Sequence, residues 1–143
     1  MREIKFRGKR IYNGEWVEGS LCQGENRIFI VYDNDFTVST IYGETNLISD
    51  RFFEVDPATV GQYTGLTDKN GKEIYEGDIV TTDIKRPYLI VEFRDGSFMF
   101  NCNDGGKDYY DIMMPIMKEP QSTYKYGEII GNIYENPELI KEG

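Results

Sequence analysis

Thr59 to Val80 reads TVGQYTGLTDKNGKEIYEGDIV, the densest run of turn chemistry in the chain. Asp68-Lys69-Asn70-Gly71-Lys72 predicts a tight hairpin. Asn70-Gly71 can supply the two positive-φ residues of a type I′ turn, whose twist suits the flanking strands. Tyr63 to Leu66 leads in and Glu73 to Tyr75 leads out. Glu76-Gly77-Asp78 then predicts a second reversal before the apolar pair Ile79-Val80. Gly61, Gly65, Gly71 and Gly77 recur at short intervals, as they do where backbone bends sharply or approaches other backbone. A phosphate-binding loop does not fit. There is no Gly-Lys-Ser/Thr ending and no GxGxxG, and acidic residues crowd the run. The stretch predicts a hairpin leading into a small barrel.

The chain before this run predicts a small sheet of four or five strands. Ile4 to Gly8 alternates, Asn13-Gly14 signals a hairpin, and Glu15 to Leu21 returns. Trp16, the single tryptophan, reads as core or half-buried packing. Arg27 to Tyr32 is a nearly continuous apolar strand, expected to be covered on both faces. Asp33-Asn34-Asp35 is a turn and Phe36 to Tyr42 a further strand. Leu47 to Val55 bends into a short strand. Asp56-Pro57 fits either a connecting turn or one helical turn with proline at its first position.

After Gly77 the strands are short and the turns frequent, the pattern of an SH3-like barrel. Asp78 to Ile84, Tyr88 to Arg94 and Ser97 to Phe100 are expected strands. Lys85-Arg86-Pro87 and Asp95-Gly96 are the turns between them. Asn101 to Tyr110 is polar and glycine-bearing and predicts a mobile loop. Ile112 to Met117 carries three methionines and reads as core, or as an adaptable contact surface. Ile129 to Tyr134 closes the fold, and Asn136-Pro137 predicts a capped helical turn. The fold class expected is therefore mainly β with little helix. Residues 1–58 would form an N-terminal β-sheet subdomain and residues 59–143 an SH3-like β-barrel subdomain.

Several stretches resemble the YopX family, small proteins encoded by bacteriophages and prophages. The central run carries the resemblance most fully. Arg2 to Gly8, Glu15 to Gly19, Val91-Glu92-Phe93 and Gly127 to Glu135 extend it from end to end. Glu25 to Arg51 and Cys102 to Ser122 lie outside it. The resemblance implies a mainly β fold and a phage or prophage setting, and it carries over no catalytic residues.

Composition narrows the chemistry. Eleven tyrosines and eight phenylalanines favour a folded, strand-rich chain. The formal charge is −9, from 25 acidic and 16 basic residues. Both halves are acidic, which argues against nucleic acid, since phosphate contact needs a basic face. Lys5, Arg7, Lys9 and Arg10 form one local cluster, read as the solvent-facing side of a strand. There is no histidine, which removes the usual general base and the commonest metal ligand. Cys22 and Cys102 form no CxxC and cannot complete a zinc site alone. Met1-Arg2-Glu3 opens into a charged strand pattern and no apolar run approaches spanning length, so no signal peptide and a reduced, cytoplasmic setting are expected.

Two carboxylate constellations could serve metal chemistry. Asp33, Asp35, Thr37, Ser39 and Glu44 fall at the ligand spacings of a calcium-binding loop. Val38, however, stands where that loop needs glycine, and the flanks are strand-like. Asp33 with Asp35, or Asp104 with Asp108, could serve a metal-dependent hydrolase, but 25 acidic residues produce such pairs by chance. No catalytic, cofactor-binding or metal residue is assigned. The sequence favours a non-enzymatic phage accessory protein that contacts a host or phage protein, or a second copy of itself. A nucleic-acid-associated small barrel is the alternative; it would need a basic face joining Lys5, Arg7, Lys85 and Arg86.

Overall fold

The computed structural model describes residues 3–32, 37–41, 44–48, 52–81, 88–104, 107–112 and 127–140. The chain divides into two compact units, Met1–Gln62 and Tyr63–Gly143. Both are built from antiparallel strands, and the helical content described is two single turns.

The first unit contains β1 (Phe6–Lys9), β2 (Trp16–Gln23), β3 (Ile28–Tyr32), β4 (Thr37–Ile41), β5 (Glu44–Ile48) and β6 (Phe52–Val55). β6, β3, β2 and β1 lie side by side in that order. Gly61 and Gln62, which open β7 (Gly61–Thr67), pair with Arg7 and Phe6 on the other side of β1. β4 and β5 form a separate hairpin. Ile30 and Val31 are adjacent and both fully buried, so β3 is covered on both faces as its apolar run predicts.

The sheet curls until the end of β6 meets the end of β1. Arg10 bridges Val55, and Asp56 donates its N–H to the Lys9 carbonyl at 2.8 Å. Gly8 leaves room for Val55 to pack against the backbone. A Cβ there would stand 2.9 Å from Val55 Cβ and Cγ2. Asp56 caps a 3-10 turn, Pro57–Thr59, accepting the Ala58 N–H. The Thr59 hydroxyl accepts the Lys9 N–H at 2.9 Å, which fixes that turn to β1.

The second unit contains the remainder of β7, then β8 (Glu73–Tyr75), β9 (Asp78–Thr81), β10 (Leu89–Arg94), β11 (Ser97–Asp104), β12 (Lys107–Ile112) and β13 (Glu128–Asn132). The last five form a sheet in the order β12-β11-β10-β9-β13. Val80, Leu89, Val91, Phe98, Phe100 and Ile129 share one face of it and form the core with Ile74 and Leu66 from the β7–β8 ribbon. Pleat alternation places them there: Leu89 pairs with Val80, Val91 with Phe100, and Ile129 with Val80.

The mainly β class is as expected; the barrel is not. Among the described residues β12 and β13 are the edges of an open sheet, with no ladder joining them. Turn spacing predicts how many strands there are, whereas closure depends on edge pairing between strands far apart in sequence. Asn101 to Tyr110 is also not a loop. Asn101–Asp104 finishes β11 and Lys107–Ile112 is β12, in register from Met99↔Ile112 to Asp104↔Lys107. Its polar residues suggest a loop, yet the backbone groups are satisfied by the ladder. Asp33, Asp35, Lys85, Arg86 and the methionine run Met113 to Met117 lie outside the described residues.

Candidate functional site

The central run uses its polar residues to hold backbone. At its first turn the Asp68 carbonyl accepts the Gly71 N–H at 3.0 Å, and the Asp68 N–H reaches the Lys72 carbonyl at 2.8 Å. Gly71 has φ +80° while Asn70 is not in the left-handed region. The connection is therefore a turn over Lys69-Asn70 followed by a left-handed glycine, the three-residue hairpin, in place of the expected type I′ turn. The Asp68 side chain is buried. One oxygen accepts the N–H groups of Asn70 and Lys72, each at 2.9 Å, and the other accepts the Ile129 N–H at 3.0 Å. Burial pushes its carboxyl up. The N–H donors of Ile129, Lys72 and Asn70, with the Lys72 charge, outweigh burial and hold it below the usual aspartate value.

The second turn is organised around Gly77. Asp78 is fully buried and accepts the Tyr75 N–H at 2.8 Å, closing the reversal from β8 into β9. Gly77, at φ +89°, donates its N–H to the Val91 carbonyl at 2.8 Å and accepts the Ile133 N–H at 2.9 Å. The Tyr134 ring lies against it, so that a Cβ would stand 2.9 Å from Cε2. Three separate segments thus meet at one glycine: the β8–β9 turn, β10, and the turn after β13.

Their meeting leaves an open cleft of ≈ 280 Å³ lined by Glu76, Glu92, Phe93, Arg94, Ile133 and Tyr134 among others. Glu92 Oε1 accepts from Asn101 Nδ2 at 3.3 Å. Glu92 Oε2 is shielded from water and receives no hydrogen bond; Arg94 Nη1 stands 3.8 Å away. Phe93 is 52% exposed although it stacks edge-on against Phe98 at 5.1 Å. The cleft residues therefore include two carboxylates, one guanidinium and the Tyr134 ring, while the Phe93 ring faces Phe98 across the sheet. In the sequence Gly77 stands in the Glu76-Gly77-Asp78 turn and Glu92 within Val91-Glu92-Phe93. Nothing local shows that residues fifteen or more positions apart would share a cleft.

The other sequence candidates disperse. Arg7 and Lys9 lie in β1, a strand paired on both sides, Lys5 and Arg10 flank it, and all four are half-buried. The Arg7 guanidinium lies 5.1 Å from the Trp16 ring centre, and that of Arg10 lies 4.2 Å from that of Phe53. Lys5 pairs with Glu3 at 3.3 Å. Their stems and charges are spent on the unit itself rather than arrayed as a basic face. The calcium spacing fails in its described part, because Thr37–Ile41 and Glu44–Ile48 are extended paired strands where a coiled loop would be needed. Asp104 pairs with Lys107 and Asp108 with Asn103, on successive rungs of one ladder. Among the described residues no cluster of three or more metal-ligating side chains occurs, and no helix is long and apolar enough to cross a membrane.

The architecture and the central motif define a two-unit, mainly antiparallel β protein. The chain belongs to the YopX family: the family model described as YopX protein matches residues 5–141. Among solved structures, protein EF1440 from Enterococcus faecalis is similar, with 23% sequence identity and a TM-score of 0.46, covering 99% of this chain and 100% of that one. The curated proteins contain no match.

Proposed function

We propose that the protein is a non-enzymatic protein-interaction module, an accessory factor of the phage or prophage type acting in the cytoplasm of a bacterial host. This reading rests on the loop between β1 and β2. Ile11 is 58% exposed and Tyr12 88% exposed, side by side. Three backbone hydrogen bonds hold the loop all the same. Gly14 donates to the Arg10 carbonyl, Arg10 to Glu15 and Ile11 to Glu54, all at 2.8–3.1 Å. A pre-ordered loop that presents an aliphatic and an aromatic side chain loses little freedom on docking, and aromatic residues are enriched where proteins meet.

The motif carboxylates support the non-enzymatic part. Asp68 and Asp78 accept backbone N–H groups and serve as turn caps. The reading is tested by recovering the tagged protein from host extract, with and without nuclease, beside a variant carrying Ile11→Asp and Tyr12→Ala. A discrete protein that survives nuclease and is lost with the variant is expected. Recovery of nucleic acid alone would sink the reading and favour a nucleic-acid-associated role.

A further inference from the structure

We propose that the cleft of the second unit receives a single basic side chain, lysine or arginine, from a partner protein. The inference rests on the protein-interaction reading and names what one surface of it recognises. Three features of the cleft converge on a cation with a long apolar stem.

The first is charge. Glu76 and Glu92 line the cleft against one guanidinium, Arg94. From Thr59 onward the chain holds 15 acidic and 9 basic residues, so the surrounding field is also negative. A basic segment is drawn towards this unit and an acidic one is repelled.

The second is an unmade hydrogen bond. Glu92 Oε2 is buried and receives none, while its sister oxygen is held by Asn101. Arg94 Nη1, at 3.8 Å, is within ion-pair range but beyond hydrogen-bond range. A buried acceptor left unsatisfied is costly, and a small shift of the exposed Arg94 would admit an incoming N–H donor. An ammonium or guanidinium group supplies that donor with a charge to match.

The third is shape. Tyr134, whose ring lies against Gly77, and Ile133 line the cleft beside Glu92, whereas the Phe93 ring faces Phe98 on the other side of the sheet. Methylene stems of lysine and arginine pack on such walls, and their charged heads are attracted to ring faces. At ≈ 280 Å³ the cleft is smaller than most small-molecule pockets, which run to about 300–1,000 Å³, and it suits one side chain.

The test is an NMR titration of the full chain with three capped tripeptides, Ac-Gly-X-Gly-NH2, where X is arginine, norleucine or glutamate. Saturable shifts at the backbone amides of Gly77, Glu92 and Tyr134 are expected with the arginine peptide. Glu92→Gln should weaken that binding about tenfold, as loss of a charged hydrogen-bond partner does. Tyr134→Ala should weaken it about two- to fivefold, and Phe93→Ala, on the opposite face of the sheet, should leave it unchanged. Equal responses to norleucine, a preference for glutamate, or arginine binding unaltered by Glu92→Gln would each overturn the proposal. If the titration fails while the tagged protein still retains a nuclease-resistant partner through Ile11 and Tyr12, the cleft is excluded and the interaction reading stands.

Discussion

The Asp68 carboxylate accepts the backbone N–H of Ile129 at 3.0 Å, across 61 positions of sequence. Around it the Lys69 N–H reaches the Gly127 carbonyl at 2.9 Å, and Lys69 Nζ pairs with Glu128 at 3.7 Å. The tip of a local hairpin is thereby fastened to the start of β13, and one buried side chain serves both the turn and the strand.

Stability should accordingly fall in acid through Asp68. Its carboxyl is held below the ordinary aspartate value, so the bonded form stabilises the fold fully above that value and is lost as pH drops through the folded one. The window thus lies below about pH 4. Asp68→Asn should cost about 1–3 kcal/mol at neutral pH, because the amide presents a donor where N–H groups converge. It should also flatten the acid limb. Urea titrations between pH 2 and 7 measure both, and an unchanged acid limb in the variant would contradict the assignment.

Gly77 and Gly71 separate strain from crowding. Both have positive φ, but a Cβ at Gly71 meets nothing within 4 Å while one at Gly77 meets Tyr134 at 2.9 Å. Gly71→Ala should lose about 1–2 kcal/mol from backbone conformation alone. Gly77→Ala should lose more and displace the Tyr134 ring. Adding Tyr134→Ala should recover the excess only. Denaturation of the set of variants reads this directly, and equal losses at the two glycines would refute it.

At Gly8 the constraint is purely one of space. Gly8→Ala should destabilise by about 1–3 kcal/mol through overpacking against Val55. Val55→Ala opens a cavity in its own right, so the expected signature is coupling: the double variant should be more stable than the two single losses added together. Strict additivity in a double-mutant cycle would count against the contact.

Asp95 is the non-glycine residue with positive φ among those described, at +52°, and it is followed by Gly96 at +80°. This is a genuine type I′ turn closed by Arg94 and Ser97. Asp95→Asn should be close to neutral, whereas Asp95→Val should lose about 1–2 kcal/mol. Thermal melts of the two variants decide it; a neutral valine would mean the turn adopts another form.

Three Asx-Gly signals were legible as turns, yet only one has the geometry the dipeptide favours. Asp95-Gly96 joins strands paired right up to it. Asn70-Gly71 is drawn into a three-residue loop because Asp68 turns inward to bond three N–H groups. At Asn13-Gly14 the loop is longer still, closed by the Arg10 N–H on Glu15 and the Gly14 N–H on Arg10. Dipeptide preference fixes where the chain reverses; distant partners decide how. Asn136 makes the same point. It precedes Pro137 as a helix cap should, but its side chain turns back to accept the Asn132 N–H at 3.2 Å. The apolar strands were legible from alternation and β3 from its unbroken run. The cleft was not, because Glu76, Glu92 and Tyr134 become neighbours only once three segments have met at Gly77.

The fastening of Asp68 also gives β13 two independent footholds. One is the ladder to β9 and the other is the Asp68 hairpin. A strand seated twice resists local opening, because releasing it means breaking both attachments at once. The closing strand of this unit is thus tied to its most local turn, so the last of these strands to be made is held by one of the easiest parts to form.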